Sequence, residues 1–313
     1  MQINARIQQA VLGMRGYVNI GDTPLVRFSS LSTDQVEVLG KLEWMQAGGS
    51  VKARAADQII WLARENRLLR DGMALLDASS GNTAIAYATI LKHMGLRTVI
   101  CLPSNASAKR IRTLEALGAE LVFTSPFEGT EGAQVEARKL YEEHQSSFFY
   151  ADQYSNPANW QAHYQATAAE IIEQTDSKLT HFVAGLGTTG TFTGTVRRLK
   201  ALDPSIRAIA LQPDSPMHGL EGWKHLETAS VPRIFDPTLE DARLEVASED
   251  AYEMIRYIAH HEGYLISPSS AANLVGAHRV AQSLKSGKVV TILPDSLERY
   301  EEVSELIFGK SFE

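Results

Sequence analysis

Short apolar runs rich in β-branched residues and closed off by Gly, Pro or Asp alternate along this chain with longer stretches whose apolar residues recur at helical spacing. The first pattern suits strands buried on both faces, the second amphipathic helices, and their alternation predicts stacked βαβ units around an open, mostly parallel sheet. Strands are expected at Val36 to Glu43, Met73 to Asp77, Thr98 to Leu102, Glu120 to Thr124, His181 to Ala184, Ala208 to Leu211 and Val289 to Leu293. Helices are expected at Ala53 to Leu69, Asn82 to Met94, Ala106 to Leu117, Gly132 to Glu143, Asn159 to Glu173, Thr189 to Leu202, Glu249 to His261, Ala271 to Leu284 and Glu298 to Ile307. The stretch from Asp214 to Asp241 has no clear period and holds Pro216, Pro232, Pro237, Gly219 and Gly222, which marks it as a binding loop or lid.

With 313 residues, 44% of them hydrophobic, the chain has room for two modest domains. A net charge of -7 offers nothing to nucleic acid or an anionic membrane, so small-molecule chemistry is the expectation. The single cysteine, Cys101, lies in the apolar run Thr98 to Leu102 and reads as a buried, inert thiol, which leaves no disulfide and no cysteine-built metal site. No apolar run approaches the roughly 18 residues of a membrane span, and the polar start of the chain does not resemble a signal peptide. A cytoplasmic location is expected.

Chemistry concentrates in four strand-turn-helix junctions. In Gly48-Gly49-Ser50-Val51-Lys52-Ala53-Arg54 a glycine turn opens a helix with Lys52 in its first turn. On its own this is a solvated lysine beside a serine cap, but the helix N-terminus disfavours an ammonium and so favours the neutral amine that carbonyl chemistry requires. Ser79-Ser80-Gly81-Asn82-Thr83 supplies hydroxyls, an amide and free N–H groups at a helix start, which suits either a capping turn or a carboxylate cradle. Gly185-Leu186-Gly187-Thr188-Thr189-Gly190-Thr191 matches G-x-G-x-x-G formally, but the next strand ends in Leu211-Gln212-Pro213, without the acid a dinucleotide ribose needs. A threonine-rich glycine loop fits a single phosphate better. Ile266-Ser267-Pro268-Ser269-Ser270-Ala271-Ala272 taken alone is an ordinary helix cap.

In this order and context the four junctions resemble the cysteine synthase and cystathionine β-synthase family of fold-type II pyridoxal-phosphate enzymes, nearest to its cysteine synthase B branch. The resemblance runs from Gly21-Asp22-Thr23-Pro24-Leu25-Val26 to Asp295-Ser296-Leu297-Glu298-Arg299-Tyr300. It implies an α/β fold with two open, mostly parallel twisted sheets and helices on both faces. It also implies a larger domain at 1–40 and 153–313 with the cofactor phosphate loop, and a smaller mobile one at 41–152 with the substrate loop, Lys52 lying at the cleft.

The same resemblance implies pyridoxal 5'-phosphate bound covalently to Lys52, with Asn82 on its ring hydroxyl. Gly187, Thr188, Thr189, Gly190 and Thr191 are then on its phosphate, and Ser269, or Ser270 one register on, on its pyridine nitrogen. Ser79, Ser80, Thr83 and Gln153 align with binders of the substrate carboxylate, and Gly219 with the substrate-facing loop. The implied reaction replaces the acetoxy group of O-acetyl-L-serine by a sulfur nucleophile through an enzyme-bound aminoacrylate, with Lys52 as the base. A homodimer is implied, with sulfide, thiosulfate or the thiocarboxylate of a sulfur-carrier protein as donor. Members that use O-phosphoserine carry arginine where Glu221 stands.

Other β-replacements or eliminations stay open at this stage: O-phosphoserine sulfhydrylase, cystathionine β-synthase, diaminopropionate-type synthase, a hydroxyamino-acid dehydratase, or a catalytically silent regulatory homologue. The chain departs from the family pattern at Gln46-Ala47, Ala53, Ala84, Ala168-Ala169, Ala271-Ala272 and Leu297, none of which is a presumed catalytic group.

Overall fold

The computed structural model describes residues 18–309, which form two units. The first comprises 18–21, Gln46–Gly48 and Lys52–Gln153; the second comprises Asp22–Met45, Gly49–Val51 and 154–309.

In the second unit six strands lie in the order β1 (Leu25–Arg27), β2 (Val36–Leu42), β10 (Gly287–Leu293), β7 (His181–Gly185), β8 (Arg207–Pro213) and β9 (Ala242–Val246). Only β1 is antiparallel to its neighbour. Both faces are apolar, because successive side chains of a strand point to opposite sides. Val38, Val183, Ile209, Leu211 and Val289 enter one core with Ile255, Ile258 and Leu274. Leu39, Phe182, Ala184, Ala208, Ala210 and Val290 enter the other with Phe192, Val196 and Leu199.

The first unit carries the parallel sheet β5 (Glu120–Thr124), β4 (Arg97–Pro103), β3 (Ala74–Ala78) and β6 (Phe148–Tyr150). Ala74, Leu76, Ala78, Val99 and Cys101 pack on one face against Ala133 and Ala137 of a covering helix. Cys101 is buried, and desolvation, then the charges of Glu136 and Asp77, push its thiol up to about 12, so it is inert near neutral pH.

The helices of the first unit are α1 (Lys52–Glu65), α2 (Asn82–His93), α3 (Ala108–Ala116) and α4 (Gly129–Glu143). Those of the second are α5 (Pro157–Ala162), α6 (Ala168–Gln174), α7 (Gly190–Leu202), α8 (Ser248–Glu262), α9 (Pro268–Gln282) and α10 (Glu301–Phe308). Three strands were absent from the sequence pattern. β1 and β6 are three residues long, and the edge strand β9 reads Ala-Arg-Leu-Glu-Val, alternating rather than wholly apolar. The helix expected at Asn159 to Glu173 is interrupted by a π turn at His163–Thr167, and the one expected at Glu298 to Ile307 begins as a 3-10 turn at Leu297–Arg299. Asp214 to Asp241 is irregular as expected, apart from a short turn at Pro237–Leu239.

Candidate active site

In open α/β sheets ligands bind beyond the carboxyl ends of the strands, and all four junctions lie at strand ends or helix starts. In the first unit Lys52 opens α1 after Gly48, whose φ of 79° suits glycine. β3 leads through Ser79, Ser80 and Gly81 into α2, whose N-cap is Gly81 with no side-chain cap. Gly81 has no side chain to cap α2, and the Ser79 hydroxyl accepts the Gly81 N–H at 3.3 Å, which holds the turn at a helix start that suits an anion. Because β6 lies beside β3, Gln153 reaches the same turn. Thr83 Oγ1 donates to Gln153 Oε1 at 2.8 Å, and Gln153 Nε2 donates to the Ala78 carbonyl at 3.4 Å. The structure thus brings Ser79, Thr83 and Gln153 together, with Ser80 and Asn82 in the same turn.

In the second unit β7 ends at Gly185, and the loop to α7 is fixed by close backbone approach. A Cβ on Gly187 would run into the Gly222 carbonyl, one on Gly185 into the indole of Trp223, and one on Gly190 into the Asn159 carboxamide. Thr189, the N-cap of α7, has a φ of 68° and makes no side-chain cap. Its Oγ1, like those of Thr193 and Thr195, is buried without a hydrogen-bond partner. A non-glycine residue in the left-handed region and an orphaned hydroxyl are both costly, and they meet at a helix N-terminus that attracts anions. A phosphate dianion would satisfy the orphaned donor, so these residues fit a phosphate group.

Ser269 and Ser270 both lie in the first turn of α9, capped by Ser267, whose Oγ accepts the Ser270 N–H at 3.1 Å. The Ser270 hydroxyl donates to the Asp295 carbonyl at 2.8 Å and accepts from Ser267 at 3.0 Å. Ser269 Oγ has only longer contacts, 3.2 Å to Ser267 Oγ and 3.4 Å to Asp295 Oδ1. Its hydroxyl is therefore the less committed of the two. Gly219 donates its N–H to Ser248 Oγ at 2.8 Å, and a Cβ there would collide with the Tyr252 hydroxyl.

Several supporting residues carried no sequence signal beyond a lone polar letter. Asn273 Oδ1 accepts the Gly185 N–H at 2.8 Å while its Nδ2 donates to the Ile292 carbonyl at 2.7 Å, joining the ends of β7 and β10. His163, set by the π turn, has Nε2 3.2 Å from Thr191 Oγ1 and Nδ1 2.9 Å from Thr167 Oγ1. An asparagine within Ala271-Ala272-Asn273-Leu274-Val275, buried throughout, is the one that spacing alone came nearest to exposing.

Residues 17–295 match the family model described as pyridoxal-phosphate dependent enzyme. The cysteine synthase of Aquifex aeolicus (strain VF5) is 41% identical over 289 residues, covering 90% of this chain and 88% of that protein. The cysteine synthase B of Salmonella typhimurium (strain LT2) is 37% identical over 294 residues, covering 93% and 95%. Among solved structures, the cysteine synthase of Entamoeba histolytica superposes with a TM-score of 0.88 at 30% identity, covering 94% of this chain and 90% of that one.

Proposed function

The chain belongs to the family of pyridoxal-phosphate dependent enzymes, and from that premise we propose that it is a cysteine synthase acting on O-acetyl-L-serine. One observation carries the reading: a glycine loop closed to any Cβ presents an uncapped helix N-terminus and the orphaned hydroxyl of Thr189, the donor set a phosphate dianion requires. The likeness to cysteine synthases supports the substrate class.

When bound, the cofactor supplies an electron sink that lets a Cα proton and a β-substituent leave. The chain supplies the rest. Gly187, Thr188, Thr189, Gly190 and Thr191 would hold the phosphate, Ser269 the ring nitrogen and Asn82 the ring hydroxyl. Lys52 Nζ would be the point of covalent attachment, and its amine would carry the Cα proton. Ser79, Ser80, Thr83 and Gln153 hold the substrate carboxylate, and the segment around Gly219 faces its β-substituent. Ser269 rather than Ser270 is assigned to the ring because the Ser270 hydroxyl is already committed to Asp295 and Ser267.

The same segment supports acetate over phosphate as leaving group. Glu221 is exposed on it, and burial, then His225, holds His218 below its usual value, against the pull of Asp214, so its ring is neutral near pH 7. The Lys224 ammonium sits over the Tyr154 ring, 5.2 Å from its centroid. No helix among the described residues is long and apolar enough to cross a membrane. The reading extends to a cytoplasmic homodimer that takes sulfur from a small donor or from a protein thiocarboxylate.

The test is covalent attachment. Protein loaded with pyridoxal phosphate is expected to be yellow, and borohydride reduction followed by peptide mapping is expected to fix the label on Lys52. Folded Lys52→Ala is expected to lose both. A label on another lysine, or a protein that never takes up the cofactor, contradicts the proposal.

A further inference from the structure

At the carboxyl end of β3 an aspartate stands where the burial of the strand calls for an apolar residue. By alternation Leu75 and Asp77 point away from Ala74, Leu76 and Ala78, and Asp77 is only 2% exposed. Asp77 Oδ1 accepts the Ala78 N–H at 2.8 Å, and the Gln153 N–H also favours the ionised carboxyl. Its Oδ2 and the hydroxyl of Tyr87 on α2 interact while both stay buried outside standard hydrogen-bond geometry.

Ala78 and Gln153 are the two ends of the cradle described above. Ala78 precedes Ser79 and its carbonyl takes the Gln153 amide, while Gln153 in turn accepts from Thr83. Asp152, next to Gln153, turns the chain there with a φ of 43°, unusual for a residue with a side chain. Asp77 thus sits behind the backbone that holds the cradle, on the same β3-to-α2 turn.

We propose that Asp77 is a positioning residue that couples a proton to substrate binding: it is neutral when the cradle holds the α-carboxylate and gives up that proton when the anion leaves. The inference rests on reading Ser79, Ser80, Thr83 and Gln153 as the carboxylate cradle. Two carboxylates brought close in a poorly solvated region cannot both ionise cheaply, so the incoming anion favours protonation of the buried one.

The surroundings allow the exchange near neutral pH. Burial, the largest influence, pushes Asp77 up to about 7; Asp152 adds to the rise, and Ala78, Tyr87 and Gln153 oppose it. Tyr87 on α2 lies against it and Asp152 follows β6; across the sheet are Cys101 on β4 and Tyr150 on β6, which feel the charge of Asp77 and, respectively, of Glu136 and Arg138 on α4. Tyr87, Tyr150 and Cys101 are all raised, chiefly by burial, and so stay protonated. Asp77 is the member of this cluster placed to exchange a proton.

The test is calorimetric titration of the cofactor-loaded protein with propionate, a carboxylate with no amine to react, in buffers of differing ionisation heat. Between about pH 6 and about pH 8.5 wild-type affinity is expected to fall roughly threefold to tenfold, with about a quarter to a half of a proton taken up per propionate at a maximum near pH 7.5. Asp77→Asn, which keeps an acceptor for the Ala78 N–H, is expected to bind propionate with no proton uptake and a flat profile. Absent uptake in wild type, or a slope that Asp77→Asn retains, overturns the assignment. Thr83→Val separates the premises. If propionate binding ignores it, the cradle reading fails and Asp77 with it; if binding weakens while wild type takes up no proton, only the role of Asp77 fails. The wild-type proton count decides the matter even if Asp77→Asn does not fold.

Discussion

Asp77 makes a prediction about stability that does not depend on any ligand. Its ordinary value is 3.8, and burial in the fold carries it to about 7. The native state therefore holds a proton that the unfolded chain has released across that interval. The sign follows: the contribution of Asp77 to stability is full below about pH 4, declines as pH rises, and is gone above about pH 7. The loss is on the order of 3–5 kcal/mol over the whole window. Urea denaturation at several pH values is expected to show Asp77→Asn gaining on wild type as pH rises; a constant difference contradicts the burial of a titrating carboxyl. Asp77 also shows where the reading of single letters stops. It looked like the aspartate that closes a strand, because only the packing of α2 and β6 against β3 reveals that it is enclosed.

At the scale of elements, the loop from β7 to α7 owes its shape to glycines that leave no room for a side chain. Gly187→Ala would set a methyl against the Gly222 backbone carbonyl, which cannot rotate away as a side chain would. The segment must shift at a cost of roughly 1–3 kcal/mol. The expected outcome is a folded protein that loses pyridoxal phosphate on desalting; full retention of the absorption band contradicts the cradle. This loop was legible because glycines and threonines at the junction of an apolar strand and a periodic helix have few other uses. β7 and β10 were legible because both faces are buried and the runs are continuous. β9 was not, because Arg243 and Glu245 alternate with apolar residues on an edge. The π turn was not either: it is set by His163 bridging Thr167 and Thr191, partners that no local pattern connects.

For the whole molecule, the order of the strand-helix junctions along the chain carried the family resemblance, and the match over residues 17–295 bears it out. What the order leaves to chemistry is the choice of activated serine. The exposed carboxylate of Glu221 and the neutral ring of His218 disfavour a phosphate dianion beside Gly219, so O-acetylserine is expected to exceed O-phosphoserine in kcat/KM by roughly tenfold or more. The most direct measurement is product analysis after the cofactor-loaded protein is incubated with sulfide and each donor in turn. The account predicts L-cysteine from O-acetylserine at the higher kcat/KM and none from Lys52→Ala. A fully loaded protein that forms no cysteine from either donor would contradict it.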